Sequence, residues 1–189
     1  MTVRLMLIAA APTPATRQAA FPNDESLTAN GHADAVRAAA GIGRVTSALR
    51  GPELRCEQTA GALGLAAAAE PALADLDAGS WRGHRLDQVD PEKLGLWPTD
   101  PSAVPHGGES LTALSARVAG FLDGLPREPA RIVAVTHPAV IRAAVLYVLR
   151  APVQAFWSLD VAPLAQTRLS WNAGVWRLQE TGHPLAGLG

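Results

Sequence analysis

The stretch from Arg131 to Arg142 constrains the fold more than any other part of the chain. Arg131-Ile-Val-Ala-Val135 is a short apolar run, rich in β-branched residues, and it ends in Thr136-His137. A helix-like segment from Ala139 to Leu149 follows at once with hardly any polar face, so both elements are expected to be buried. A strand that hands a histidine to its C-terminal edge, just before a helix begins, is a common way to build an anion site in an α/β sheet.

The rest of the chain fits around that unit. Val3 to Ile8 is a continuous apolar run of strand length, suited to a central strand covered on both faces, and Pro12 and Pro14 stop it. Thr28 is an N-cap for a helix over about residues 29–40, with Gly41 as its stop. A strand is expected at Val45 to Leu49 and a helix over about 55–64. Asp77 to Gly108 reads as a loop-rich insert. Leu111, Leu114, Val118 and Leu122 then fall on one helical face, and Pro126 and Pro129 end that helix. Pro152 restarts a short helix, and Asn172-Ala173-Gly174 divides two strands as a hairpin turn. Strands alternating with helices predict a three-layer α/β/α domain with a mostly parallel sheet over residues 1–180. Residues 181–189 read as a loose tail.

Composition excludes several classes of function. With 189 residues, 48% hydrophobic and 17% charged, the chain is long and apolar enough to bury one substantial core. A net charge of -1 gives no overall field for nucleic acid or an anionic membrane. The only lysine is Lys93; a charge set made almost entirely of arginine, with abundant alanine, points to a GC-rich bacterial source. The single cysteine, Cys56, excludes an intrachain disulfide and a thiolate cluster, and reads as a buried thiol. The five histidines show no metal-ligand spacing, so neither metal nor cofactor is expected. The N-terminal apolar run is short, follows one arginine and reads as a strand, not a leader. His137 and Arg142 interrupt the stretch over 132–149 and make it a poor membrane span. A soluble cytoplasmic protein is expected.

Several short motifs occur in one order: Leu27-Thr28-Ala29-Asn30-Gly31, Arg55-Cys56-Glu57-Gln58-Thr59-Ala60, Leu73-Ala74-Asp75, Pro105-His106-Gly107-Gly108-Glu109-Ser110, and Val135-Thr136-His137. Together they resemble the histidine phosphatase (phosphoglycerate mutase-like) superfamily from residue 3 to about 178. The resemblance implies a phosphoglycerate mutase-like fold. It also implies a phosphomonoesterase that works through a phosphohistidine on a small-molecule phosphate, with a homodimer left open. It casts Arg55 as the guanidinium that grips phosphate and His137 as the second active-site histidine. Asp75 becomes the leaving-group acid, with Asp77 as the fallback, and Glu109 a residue of the pocket edge that also serves as a helix cap. Thr13 matches the first motif's threonine. A general phosphatase fits better than a glycolytic mutase, because the chain lacks long insertions. An α-ribazole phosphate-like nucleotide is one conceivable substrate.

The departures from that family are equally specific. The first motif, an Arg-His-Gly at the end of strand one, is replaced by Ala9-Ala10-Ala11, so Ala10 stands at the position of the phosphate-accepting histidine. Alanine has no lone pair to attack phosphorus, and the chain as written is expected to be inactive as a phosphatase. Pro138, where the family has a glycine, has no N–H to give. Arg17 and Arg142 are candidates to compensate for the missing arginine. Two explanations compete, deliberate replacement of a histidine and natural loss; the joint retention of Arg55, Asp75, Glu109 and His137 favours replacement. An anion-binding module, or acid–base chemistry by Asp75 and His137 in the same pocket, are the alternatives.

Overall fold

A computed structural model describes residues 2–187. Six strands form one sheet in the order β3-β2-β4-β1-β5-β6: β1 is Val3–Ala9, β2 Ser47–Arg50, β3 Ala68–Ala69, β4 Ala130–Thr136, β5 Ala165–Asn172 and β6 Val175–Pro184. The strands from β3 to β1 pair in parallel, while β5 and β6 add antiparallel. The sheet is therefore mixed, with four parallel strands followed by two antiparallel ones at one edge. β1 alternates as its apolar run requires. Val3, Leu5, Leu7 and Ala9 pack beneath α5 (Leu111–Gly124) and α6 (Pro138–Leu149). Met6, Ile8 and Ala10 face the layer of α2 (Ala29–Ala38) and α3 (Leu54–Ala62).

The helix starts follow local chemistry. Thr28 Oγ1 accepts from Gly31 N at 3.0 Å, and Ser110 Oγ accepts from Ala113 N at 3.0 Å, so both side chains cap the helices they precede. Two short elements, α1 (Pro14–Gln18) and β3, carry too few residues to show a period and are not legible in sequence. The insert expected as loop contains α4 (Pro91–Leu96), and its Ala78, Trp81, Val89 and Trp97 form an apolar cluster with Phe21 from the segment before α2. It is fastened by backbone docking: a Cβ at Gly108 would meet Asp77 O at 2.0 Å, and one at Gly79 would meet His106 O at 2.2 Å. Only glycine allows that approach. Among the described residues no helix is long and apolar enough to cross a membrane.

The tail expected to be loose is ordered as far as it is described. β6 continues to Pro184, with Gln166 opposite His183 and Ala165 opposite Pro184. Leu185 is buried and joins the cluster of Ile8, Cys56, Ala60 and Val135. Its N–H bonds Leu164 O at 3.3 Å. Residues 188 and 189 lie outside the described residues. Leu185→Ala is expected to cost about 2–5 kcal/mol, the range for truncating a buried leucine. A urea midpoint unchanged from wild type would mean that the tail is not part of the folded unit.

Candidate active site

β1, β4 and β2 end together: Ala9 lies opposite Thr136, and Arg50 opposite Val135. The residues one step beyond, Ala10, His137 and Gly51, therefore meet at one edge. Ala10 N donates to Thr136 O at 2.8 Å, and Gly51 N donates to Val135 O at 2.9 Å. Arg55 enters from the first turn of α3, and Thr59 one turn on ties that helix to β1. Its hydroxyl donates to Arg55 O at 2.7 Å and accepts from Ala11 N at 3.0 Å. Asp75 arrives from the loop after β3. Thr136 Oγ1 anchors that loop by donating to Leu73 O at 2.8 Å.

These side chains form one network. Arg55 Nη2 pairs with Asp75 Oδ2 at 2.7 Å, and Asp75 Oδ2 lies 3.5 Å from His137 Nδ1. His137 Nε2 meets Glu53 Oε2 at 2.7 Å and Cys56 Sγ at 3.2 Å. Glu53 Oε1 accepts the backbone N–H of Asp75 at 2.9 Å, so Glu53 fixes both His137 and the Asp75 loop. Burial by itself works against a charged His137. It is outweighed by the charge of Asp75, the sulfur of Cys56 and the Glu53 carboxylate, which raise the ring's pKa from 6.5 to about 10. Burial works against the Glu53 carboxylate too, but the hydrogen bond and charge of His137, with the Asp75 N–H, lower it from 4.5 to about 2. Arg55 Nε lies 3.2 Å from His137 Nδ1, a contact that would be a hydrogen bond only to a neutral ring. The Asp75 and Glu53 carboxylates favour the charged ring, whereas the Arg55 N–H aimed at Nδ1 favours a neutral ring with its proton on Nε2 beside Glu53.

A pocket of about 290 Å³ opens on this network. Ala10, Thr13, Arg55, Asp75, His137 and Arg142 all line it, so the structure brings together most of the residues selected from sequence. Arg142 is aimed by Nε donating to Leu159 O at 2.7 Å and lies over the rings of Phe156 and Trp157. Burial lowers the pKa of Arg142, opposed by Asp160 and Asp75. Pro138 opens α6 at the pocket wall, so that helix presents one N–H fewer there, as the sequence implied.

Three candidates lie elsewhere. Arg17 is exposed on α1 and is not part of the lining; Thr16, one residue earlier, takes the pocket side, and a helix turns about 100° per residue. Glu109 is also outside the lining and forms a two-pronged pair with Arg117, Nε to Oε1 at 2.9 Å and Nη2 to Oε2 at 2.7 Å. Asp77 pairs with Arg82 at 2.8 Å and does not line the pocket. Sequence reasoning missed Arg117, whose Nη1 also donates to Ala72 O and Ala74 O and so clamps the segment that carries Asp75. It missed Glu53 as well, because a carboxylate at a helix start looks the same whether it caps in water or grips a buried histidine.

The scattered sequence positions also conceal a donor cluster. Glu53, Cys56 and His137 place three potential ligand atoms within 4.8 Å of one another. The 2.7 Å separation of His137 Nε2 from Glu53 Oε2 is that of a hydrogen bond. Two ligands on one tetrahedral zinc sit about 3.3 Å apart. The cluster is thus a hydrogen-bonded trio, not a cage.

Residues 10–183 match the sequence profile of the histidine phosphatase superfamily (branch 1). The chain belongs to that superfamily. It is 30% identical over 119 residues to phosphoserine phosphatase 1 of Hydrogenobacter thermophilus, a match that covers 60% of this chain and 56% of that protein. The chain therefore spans little more than half the length of that relative. Mycobacterial glucosyl-3-phosphoglycerate phosphatase, solved with VO3, superposes with a TM-score of 0.85 at 26% identity, covering 95% of this chain and 98% of that one. A histidine-to-alanine mutant of Entamoeba histolytica phosphoserine phosphatase, solved with phosphoserine, superposes at 0.90 with 21% identity, covering 99% and 100%; at that identity the likeness concerns the fold. This histidine phosphatase superfamily chain shares with them the α/β fold and its mixed sheet.

Proposed function

We propose that this superfamily chain binds small phosphomonoesters in the Arg55–Asp75–His137 pocket, and that Ala10 occupies the place of the phosphate-accepting histidine. In that reading it forms no phosphohistidine as it stands. The observation that carries the reading is the shared pocket: Ala10 leaves the end of β1 into the same cavity as Arg55, Asp75, His137 and Arg142. That the mycobacterial relative was solved with VO3 supports a phosphate-like anion as the ligand class. An entering phosphate competes with Asp75 for Arg55, and the Asp75 carboxyl it releases is then placed to serve the leaving oxygen. The remaining wall, Phe21, Trp97, Phe156, Trp157 and Val161, is apolar and suits an alcohol with a planar or apolar group. The Glu53–His137–Asp75 chain favours one second reading, proton transfer in the same pocket without a phosphoenzyme. The gene's codon at position 10 decides between a replaced histidine and a natural alanine.

Because Arg55 already has a carboxylate partner and Pro138 gives no N–H, affinity is expected to be millimolar, roughly 4 kcal/mol. Calorimetric titration with phenyl phosphate, phosphoserine and inorganic phosphate tests this. Phenyl phosphate is expected to bind most tightly, and Arg55→Gln to weaken all three about tenfold or more. An affinity unchanged in Arg55→Gln would place the anion elsewhere.

A further inference from the structure

At the opposite end of the parallel strands, roughly 20 Å from Ala10 at the usual rise per residue, four arginines border a groove of about 410 Å³. Arg4 on β1 and Arg131 on β4 are register partners. Arg168 on β5 lies opposite Met6, two residues along β1 from Arg4. Side chains alternate faces along a strand, and Met6 and Val133 belong to the α2/α3 face. Arg4, Arg131 and Arg168 therefore stand on that same face, on three adjacent strands. Arg44 joins from the loop after α2, where Gly41 and Gly43 form the facing lip and Val45, Met6 and Val133 an apolar floor.

This arrangement is costly without a counter-charge. Neighbouring strands are about 4.8 Å apart, and like charges directly opposite each other repel. Arg168 has Glu180 at 3.7 Å. Among the described residues no carboxylate lies within ion-pairing distance of Arg4, Arg44 or Arg131. All four are exposed, in a chain whose net charge is -1, so the positive field is local to this groove. A guanidinium presents a planar fork that matches two phosphate oxygens at once. Forks repeated at the strand spacing match linked phosphate groups better than a single one, and the volume exceeds what one phosphate fills.

We propose that this groove is a second anion site, which takes a small molecule bearing two or more linked phosphate groups. It shares no residue with the first pocket and does not depend on what that pocket does. Inorganic triphosphate is the probe, titrated calorimetrically into the full chain at physiological salt. One saturable site is expected, tighter than the millimolar binding of phosphate in the first pocket. Arg4→Gln and Arg131→Gln should each weaken it about tenfold or more, while Arg55→Gln in the first pocket and Arg85→Gln on the insert leave it within about twofold. Both groove variants remove a like-charge contact, so their unliganded melting temperatures should equal or exceed wild type. That readout separates lost binding from lost folding. Absence of saturable binding overturns the proposal. So does a loss that follows Arg55→Gln, or one equally large in Arg85→Gln, which would mean diffuse attraction. A DNA duplex bound more tightly than triphosphate would overturn it in favour of a nucleic-acid face.

Discussion

Glu53→Ala is expected to destabilise the fold by about 3–5 kcal/mol, the cost of removing one partner from a buried charge pair. The variant removes the 2.7 Å contact to His137 and leaves the Asp75 N–H, 2.9 Å from Glu53 Oε1, without its acceptor. The loss should depend on pH in a defined way. His137 is raised from 6.5 to about 10, so its contribution is complete below pH 6.5 and lost as pH climbs through 10. Glu53 is lowered from 4.5 to about 2, so its contribution is complete above pH 4.5 and lost as pH falls through 2. The difference in stability between wild type and Glu53→Ala should therefore be widest between pH 4.5 and 6.5 and narrow on either side. Urea unfolding of both proteins at several pH values measures it. A constant difference from pH 5 to 9 would mean that Glu53 does not help to hold His137 charged in the folded protein.

Ala10→His is expected to raise hydrolysis of an aryl phosphate at least about 10³-fold, or roughly 4 kcal/mol of barrier, by supplying the nucleophile that the proposed reading requires. Ala10 already lines the pocket shared by Arg55, Asp75 and His137, so a new imidazole enters an assembled site. His137→Ala in that background should abolish the gain. Ala9, fully buried, supplies no cation, and Pro138 no N–H, so the restored rate should stay below that of an intact family site. Steady-state turnover and acid-labile phosphate on the protein are the measurements, with circular dichroism as the check on folding. Equal turnover with and without the histidine would exclude a phosphohistidine route and favour proton transfer by Asp75 and His137.

The two expectations differ in origin. That Ala10, Arg55, Asp75 and His137 share a site was legible in sequence, because motif order carries the family's geometry. That Glu53 holds His137 was not, since the partners lie 84 residues apart and meet only because β2 and β4 end in register.

The sequence by itself determined the elements with a period long enough to read. The apolar run of β1, the stripe on α5 and the all-apolar α6 each report burial locally, and Thr28 and Ser110 mark helix starts through their own hydroxyls. It also determined what is absent, a nucleophilic side chain at position 10 and an N–H at position 138. Tertiary structure alone decided the partners and the directions. Arg17 turns outward on a helix too short to show a face, while Glu109 is taken by Arg117 and Leu185 is drawn under the sheet. The aromatic pocket wall is assembled from the segment after α1, the insert and the turn after α6, and the groove arginines come from four separate segments. A local pattern shows whether a side chain is buried. Which charge it meets there depends on strand order and register, which no single segment contains.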